Sequence, residues 1–379
     1  MTLPPSAERG VRGQRTPGLR VAVAGADGPV GAAVVAALAQ DPGVAEVLAL
    51  VPEDASEPGG TGPDAAAPDG AGLDGAAPAG SGSEGPGARV LPVDLHGPGL
   101  AAVLDGVDAL VAPSRAVQPV LAAATALTAA AAARVPRVVL VTSAEVYGAL
   151  PDNPVPLDED APLRAAPGEG HLRDLLEVEA MAARAPLAHP GLEVAVLRPA
   201  TLVGPGLTPA LAGHFAAPRL LVVRGSVPRW QFCHLDDLAT AAALVVTSGL
   251  AGPLPVASPG WLEQEQVEVL SGLRRIELPP ALAFSTAERL HRVGVVPGPA
   301  TDLAYVVHPW VVSPARLEAA GWVPAHDNVA AFRALLDALD ADGRRGLGRD
   351  ATLASAGAAV AVVGTAALVR AARRRRSGR

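Results

Sequence analysis

Lysine is absent from this chain of 379 residues, so all 30 of its basic side chains are arginines. A guanidinium group stays protonated in proteins, and it cannot act as the amine base or Schiff-base former that lysine provides. Every mechanism that needs a lysine side chain is therefore excluded. Tyrosine is almost as scarce, since Tyr147 and Tyr305 are the only two phenol groups.

Cysteine and aromatic residues are also rare. The single cysteine, Cys233, excludes an internal disulfide and a Cys-cluster metal site, and we predict no metal site of another kind. This cysteine content favours a reduced, cytoplasmic location. The net charge of −8 gives no general basic surface, so we expect no nucleic-acid partner. With 3% aromatic residues, the core must consist of Ala, Val and Leu.

Apolar strands alternate with helical segments along the chain. This order predicts an α/β fold, a doubly wound parallel sheet, at 19–205, with a smaller mixed C-terminal lobe at 206–342. The first strand, LRVAVAG at 19–25, is apolar on both faces, as a buried parallel strand should be. The other predicted strands are 44–51, 88–95, 107–113, 137–143, 192–199 and 220–225, and the helices are about 30–40, 98–105, 115–134, 171–185 and 328–339.

Three segments differ from this pattern. We interpret residues 1–18 as a disordered leader, and 55–87, which are Gly, Pro, Ala, Ser and acids without periodicity, as a disordered insertion. The tail at 343–379 contains the uncharged run 351–369 followed by RAARRRRSGR. That run is long enough to span a bilayer, but its Ala and Gly content favours a surface helix, so 351–379 is expected to contact a membrane surface.

The motif GADGPVG at 25–31 lies between the first strand and its helix. In this context Gly25 permits the tight turn, Gly28 lets the backbone approach a pyrophosphate, and Gly31 lets helix and strand pack closely. The helix amino terminus adds partial positive charge. The motif predicts dinucleotide binding, and the alternative is an ordinary turn.

Acidic residues follow the second and third strands. Glu53 and Asp54 come slightly late for the ribose-binding acid of a dinucleotide site, and they are either ribose ligands or solvated loop acids. Asp94 and Leu95 end the third strand, where they either meet an adenine ring or lie in a helix N-cap region.

Six segments, in this order, resemble the NAD-dependent epimerase/dehydratase family of extended short-chain dehydrogenases, which includes nucleotide-sugar 4-epimerases. They span about 19–340 and read GADGPVG (25–31), VDL (93–95), VVLVTSAEVYG (138–148), LRPATLVGPG (197–206), RWQFCHLDDLA (229–239) and VSPARLEAAGWVP (312–324). The resemblance implies a Rossmann-type domain, NAD or NADP as cofactor, and a nucleotide-sugar-like substrate. It also implies a homodimer built from helices 115–134 and 171–185.

The same resemblance implies residue roles. Ser143 would hydrogen-bond the substrate hydroxyl beside the nicotinamide, with Thr142 preceding it. The dipeptides Arg198-Pro199 and Gly204-Pro205 would shape the loop around the nicotinamide. Phe232, His234 and Asp236 belong to a motif between the lobes, where helix capping and interlobe hydrogen bonding are the expected roles.

The stretch HLRDLLEVE at 171–179 departs from the family, whose members use a Tyr base and a Lys four residues later. Alignment places His171 and Leu175 at those two positions, and the chain has no Lys to restore the pair. Three interpretations remain open. His171 acts as the base, with Arg173 holding the ribose; Tyr147 or Ser143 serves in a reordered site; or ordinary dehydrogenase chemistry is lost or slowed, which we favour. In the last case a non-catalytic NAD(P)-binding sensor or scaffold is the alternative function.

Overall fold

The computed structural model describes residues 18–53, 88–113, 118–166, 170–292, 300–341 and 343. Residues 1–17 of the predicted leader, the whole of the 55–87 insertion, the 351–379 tail and Asp54 lie outside these ranges. Within the ranges, no helix is both long and apolar enough to cross a bilayer.

Strands and helices alternate through most of the described chain. The strands are β1 (Leu19–Ala24), β2 (Val44–Val51), β3 (Ala88–Pro92), β4 (Ala109–Pro113), β5 (Arg137–Val141), β6 (Glu193–Pro199), β7 (Thr201–Val203), β8 (Leu220–Val223), β9 (Arg229–Trp230), β10 (Phe232–His234), β11 (Gly252–Val256), β12 (Leu262–Glu263) and β13 (Arg275–Leu278). The α-helices are α1 (Pro29–Gln40), α2 (Leu100–Val103), α3 (Pro119–Ala132), α4 (His171–Ala188), α5 (Ala212–Ala216), α6 (Leu235–Ser248), α7 (Gln264–Ser271), α8 (Pro280–Arg292), α9 (Ala315–Ala319) and α10 (Asn328–Ala341).

Seven of these strands form one parallel sheet in the order β11-β6-β5-β4-β1-β2-β3. The six strands from β3 to β6 follow the order 3-2-1-4-5-6 that is typical of doubly wound dinucleotide-binding sheets. The predicted fold class is therefore confirmed. In such sheets the ligand crevice lies outside the carboxyl ends of the strands, where the order reverses between β1 and β4.

The two faces of the sheet pack into separate cores. Alternate residues of β1 show this, since Val21 and Val23 pack in one cluster and Ala22 in the other, all with 0% exposure. Side chains of α1 and α6 complete the first cluster, and those of α2, α3 and α4 complete the second. The central residues of β1 are apolar on both sides because helices cover both faces of the sheet.

The C-terminal part of the chain does not separate cleanly from the sheet. Three two-stranded sheets, β10-β7, β12-β9 and β13-β8, have mixed directions, and all of their strands except β7 come after residue 206. The chain also returns to the main sheet, because α6 packs against α1 and β11 pairs with β6. The region predicted as a separate lobe, 206–342, therefore supplies a helix and a strand to the main sheet and its cover.

Candidate functional site

The glycine motif forms the turn between β1 and α1, at the carboxyl end of β1. Gly25 has a φ of +66°, which favours glycine. A Cβ atom on Gly31 would lie 2.1 Å from the Gly25 carbonyl oxygen, so only glycine lets the helix pack this closely on the turn. A Cβ on Gly28 would approach the same oxygen only to 3.5 Å, an ordinary contact. Thus Gly25 and Gly31 are needed by the turn itself, and Gly28 is not.

The loop after β7 borders this turn. A Cβ atom on Gly206 would lie 3.4 Å from the Cβ of Pro29, the first residue of α1. Gly204 has a φ of +145°, and a Cβ there would lie 2.7 Å from the Cβ of Leu235 at the start of α6. The structure thus brings the family segments 25–31 and 197–206 together at the carboxyl edge of the sheet.

A buried polar network lies at the carboxyl ends of β5 and β6. Arg198 donates from Nε to Glu179 Oε1 at 2.9 Å and from Nη2 to Oε2 at 2.7 Å. Thr142 donates from Oγ1 to Glu179 Oε1 at 2.7 Å. Burial acts to lower the pKa of Arg198, but hydrogen bonds and charge from Glu179 outweigh it, so this pKa is raised. Thr142 and Arg198, both expected near the nicotinamide, are therefore held by a carboxylate from α4.

Tyr147 is the fourth member of this network and has 0% exposure. Its hydroxyl accepts a hydrogen bond from Arg198 Nη1 at 2.8 Å and donates to the Glu159 carbonyl at 3.3 Å. Burial raises the pKa of Tyr147 above its ordinary value, although Arg198 acts in the opposite direction. A buried phenol that is held protonated is a poor general base at neutral pH.

Ser143 lies directly after Thr142 and is half-buried. It caps the short 3-10 helix Ala144–Tyr147, with its Oγ accepting from the Glu145 N–H at 3.2 Å. This bond uses a lone pair of the hydroxyl, so the O–H proton can be donated to a ligand. Ser143 is thus suited to bind a substrate oxygen, while its role stays a prediction.

The two positions of the missing dyad lie in the first turns of α4. His171 is the first residue of the helix and is exposed. Leu175 is 1% exposed and lies on the buried face of α4 that continues through Val178 and Ala182 into the core. The same face carries Glu179, so the helix that would bear the dyad contributes a buried carboxylate instead.

The remaining predicted cofactor residues surround the crevice. Asp94 is exposed, and its Oδ1 accepts from the His96 N–H at 2.9 Å in the turn that precedes α2, whose N-cap residue is Gly99. Leu95 is half-buried in the same turn, and Pro199 is buried as the last residue of β6. Glu53 is exposed after β2. Their contacts with a cofactor stay predictions.

The interlobe motif joins α6 to the segment before α10. The Phe232 N–H donates to Asn328 Oδ1 at 2.8 Å, and His234 caps α6 by accepting from the Asp236 N–H at 3.3 Å. The His234 ring stacks on His326 with centroids 3.8 Å apart. Burial lowers the pKa of His234, and the neighbouring His326 lowers it further. The His234 ring is therefore neutral at neutral pH.

Sequence reasoning missed two of these residues, Glu179 and His326. Glu179 ends the LEVE stretch at 176–179, and its spacing of four residues from Leu175 places both on the same helix face. His326 follows the last family segment by two residues and carries no local signal, because its partners come from the distant start of α6.

One known family model matches the middle of the chain. The model of the NAD dependent epimerase/dehydratase family matches residues 100–255. Through these residues, which make up less than half of the chain, the protein is similar to the NAD dependent epimerase/dehydratase family. The matched region contains Thr142, Ser143 and Tyr147, all of α4, and the 197–206 and 229–239 segments.

Two relatives with detectable sequence similarity align with this chain over only part of their own length. An uncharacterized protein of Mycobacterium tuberculosis is 30% identical over 157 residues, 41% of either chain. A Streptomyces protein named 3-diazoavenalumate denitrifying reductase is 33% identical over 207 residues, 49% of this chain and 61% of its own. The matches therefore span less than two thirds of either relative.

Solved structures extend the likeness to the whole fold. The UDP-glucose 4-epimerase of Thermus thermophilus, solved in complex with NAD, aligns with a TM-score of 0.55 and 19% identity. The alignment covers 84% of this chain and 98% of the epimerase. The chain thus shares its overall fold with an epimerase that was solved in complex with NAD.

Proposed function

We propose that this protein binds NAD or NADP at the carboxyl edge of its sheet and recognises a nucleotide-sugar-like molecule there. We further propose that it does not perform the proton transfer that a Tyr/Lys dyad supplies. The observation that carries the second part is the structure of α4, in which the dyad positions are an exposed histidine and a buried leucine.

The turn between β1 and α1 supports the dinucleotide part of the proposal. Gly31 packs against Gly25 so closely that no side chain fits, so the start of α1 and its backbone N–H groups lie directly on the turn. The first turn of α1 carries no acidic side chain that would oppose a phosphate. A pyrophosphate at this position would gain from the helix dipole and from these N–H donors.

The buried network supports the loss of ordinary dyad chemistry. Removing a hydroxyl proton during hydride transfer requires a base within hydrogen-bond reach and with a pKa near the working pH. Tyr147 is protonated and engaged on both sides by Arg198 and Glu159. Loss of a general base slows such a reaction by about 10²–10⁴-fold.

A second candidate function is reduction of a substrate other than a sugar, and the name of the Streptomyces relative favours it. A reductase delivers hydride to an electrophile and needs no base to remove a hydroxyl proton. When the electrophile carries a leaving group such as N2, hydride replaces that group, and no protein group has to transfer a proton to the product. This chemistry is compatible with a site that lacks the Tyr/Lys pair.

Calorimetric titration of the full, tag-free chain with NAD⁺, NADH, NADP⁺ and NADPH tests the cofactor part. Binding of at least one pair is expected, and absence of binding to all four would overturn the proposal. Absorbance of the reduced cofactor with a panel of nucleotide sugars then tests catalysis. Turnover at rates typical of dyad enzymes would show that the chemistry is retained, and loss of that turnover in His171→Ala would identify the base.

Binding without turnover on nucleotide sugars leaves two functions, and the same assay separates them. Oxidation of NAD(P)H in the presence of an aryl diazonium compound would favour the reductase. No change in cofactor absorbance with either substrate class would favour the non-catalytic sensor or scaffold.

A further inference from the structure

Three side chains of metal-binding types converge at the amino end of α6. The rings of His234 and His326 stack with centroids 3.8 Å apart and planes inclined by 26°. Asp236 Oδ2 lies 3.4 Å from His234 Nδ1. One ligand atom from each of the three residues lies within 4.8 Å of the other two. Imidazole nitrogens and a carboxylate oxygen are a donor set suited to Zn²⁺ and related divalent transition metals.

A buried carboxylate prepares one histidine for this role. Asp237 is 2% exposed and accepts hydrogen bonds from the N–H groups of Ala325 at 2.6 Å and His326 at 3.2 Å. Its Oδ2 also lies 3.1 Å from His326 Nδ1. An ionised carboxylate only accepts, so Nδ1 carries the proton and Nε2 presents a lone pair. Metal-bound histidines are held in this way by a second carboxylate.

Distances and charge fit a divalent ion. With bonds of about 2.0–2.1 Å, neighbouring ligand atoms of a tetrahedral zinc site lie about 3.3 Å apart. Asp236 Oδ2 and His234 Nδ1 are 3.4 Å apart, so an ion bound here would replace the Asp236 N–H at Nδ1. The carboxylates of Asp236 and Asp237 together balance two positive charges. The Asp236 side chain is 65% exposed, so water has access to the fourth position.

We propose that His234, Asp236 and His326 bind a divalent transition-metal ion, with Asp237 orienting His326. The ion would join the start of α6, which packs on the main sheet, to the segment that leads into α10. This inference does not depend on the proposed function, because none of its ligands belongs to the glycine turn or the buried network. The three ligands cannot be recognised from their spacing in the sequence, because His326 approaches α6 only in the folded chain.

Titration of the tag-free full chain with Zn²⁺, after treatment with EDTA, tests the proposal. One ion per chain is expected to bind and to raise the melting temperature, because an ion that binds only the folded chain stabilises it. Co²⁺ should give the intense visible absorption of tetrahedral coordination. Asp236→Asn and His326→Gln should each weaken Zn²⁺ binding by about tenfold or more. His96→Gln, which removes an exposed histidine elsewhere, is the matched control and should bind as the wild type does.

Asp237→Asn tests the orienting role, with a loss of about 10–100-fold in Zn²⁺ affinity expected. Should Asp237→Asn fail to fold, Asp236→Asn still decides the matter, because its side chain is largely exposed. No Zn²⁺ binding by the wild type, or binding that His326→Gln and Asp236→Asn leave unchanged, would overturn the proposal.

Discussion

Arg198 and Glu179 form a two-pronged ion pair inside the protein, with side chains 7% and 4% exposed. Nε and Nη2 of the guanidinium each donate to a different carboxylate oxygen, at 2.9 and 2.7 Å. Replacing one partner leaves the other charge buried without compensation. We therefore expect Glu179→Gln to lower the free energy of unfolding by about 3–5 kcal/mol, measured by urea denaturation.

An exposed ion pair provides the control for this change. Arg137 and Glu193 are 2.7 Å apart, but the Glu193 side chain is 55% exposed. Glu193→Gln should cost less than about 1 kcal/mol. Equal losses in the two variants would show that burial of the Arg198–Glu179 pair has no special weight.

Tyr147→Phe separates a packing role from a catalytic one. The change leaves Arg198 Nη1 without its phenol acceptor, so a loss of about 1–3 kcal/mol in unfolding free energy is expected. Because the pKa of Tyr147 is raised, the unfolded chain releases the phenol proton above about pH 10 while the folded chain retains it, and stability falls as pH rises there. Tyr147→Phe should lose less stability over that range. If Tyr147 were the base instead, this variant would abolish hydride transfer.

Local patterns explain why much of the fold could be predicted. The strands of the main sheet are apolar runs, and the glycine turn joins the first of them to its helix, so sequence neighbours carry the information. Element ends were less accurate. The predicted helix at 115–134 is helical from Pro119, where proline suits the first turn, and the predicted helix at 98–105 is limited to Leu100–Val103, directly after Gly99.

The polar network could not be predicted because its members meet only through tertiary packing. Glu179 is charged and would ordinarily be placed on the solvent side of an amphipathic helix, yet it faces β6 because Arg198 points inward from that strand. A buried charge is tolerated only with such a partner. An ion pair of this kind, formed between distant elements, produces no repeated pattern or fixed spacing in the sequence by which it could be recognised.

His214 should make stability depend on pH. It is buried in α5 against Trp230, with ring centroids 5.2 Å apart, and burial lowers its pKa to about 4. In the unfolded chain, His214 therefore binds a proton near pH 6.5, whereas in the folded chain it binds one only near pH 4. Stability present above pH 6.5 is lost as the pH falls through this window, by up to about 3 kcal/mol.

Urea denaturation at about pH 7 and about pH 4.5, for the wild type and His214→Phe, measures this term. The aromatic replacement keeps a ring beside Trp230 and removes the titration, so its loss of stability between the two pH values should be smaller. Burial also lowers the pKa of His234 and His308, but these residues are present in both proteins and their contributions cancel. An identical pH dependence in the two proteins would contradict the prediction.

Gly28 and Gly31 allow ligand approach to be separated from folding. Gly31→Ala places a Cβ atom 2.1 Å from the backbone oxygen of Gly25, so α1 must shift, and a loss of about 1–3 kcal/mol in unfolding free energy is expected. Gly28 has a φ of −83°, which alanine adopts, and its added Cβ would make only an ordinary contact. Gly28→Ala should therefore unfold as the wild type does, yet bind NAD or NADP about tenfold more weakly, because the methyl group occupies the path of the pyrophosphate. Calorimetric titration measures that affinity, and wild-type affinity in Gly28→Ala would show that the dinucleotide does not approach this turn.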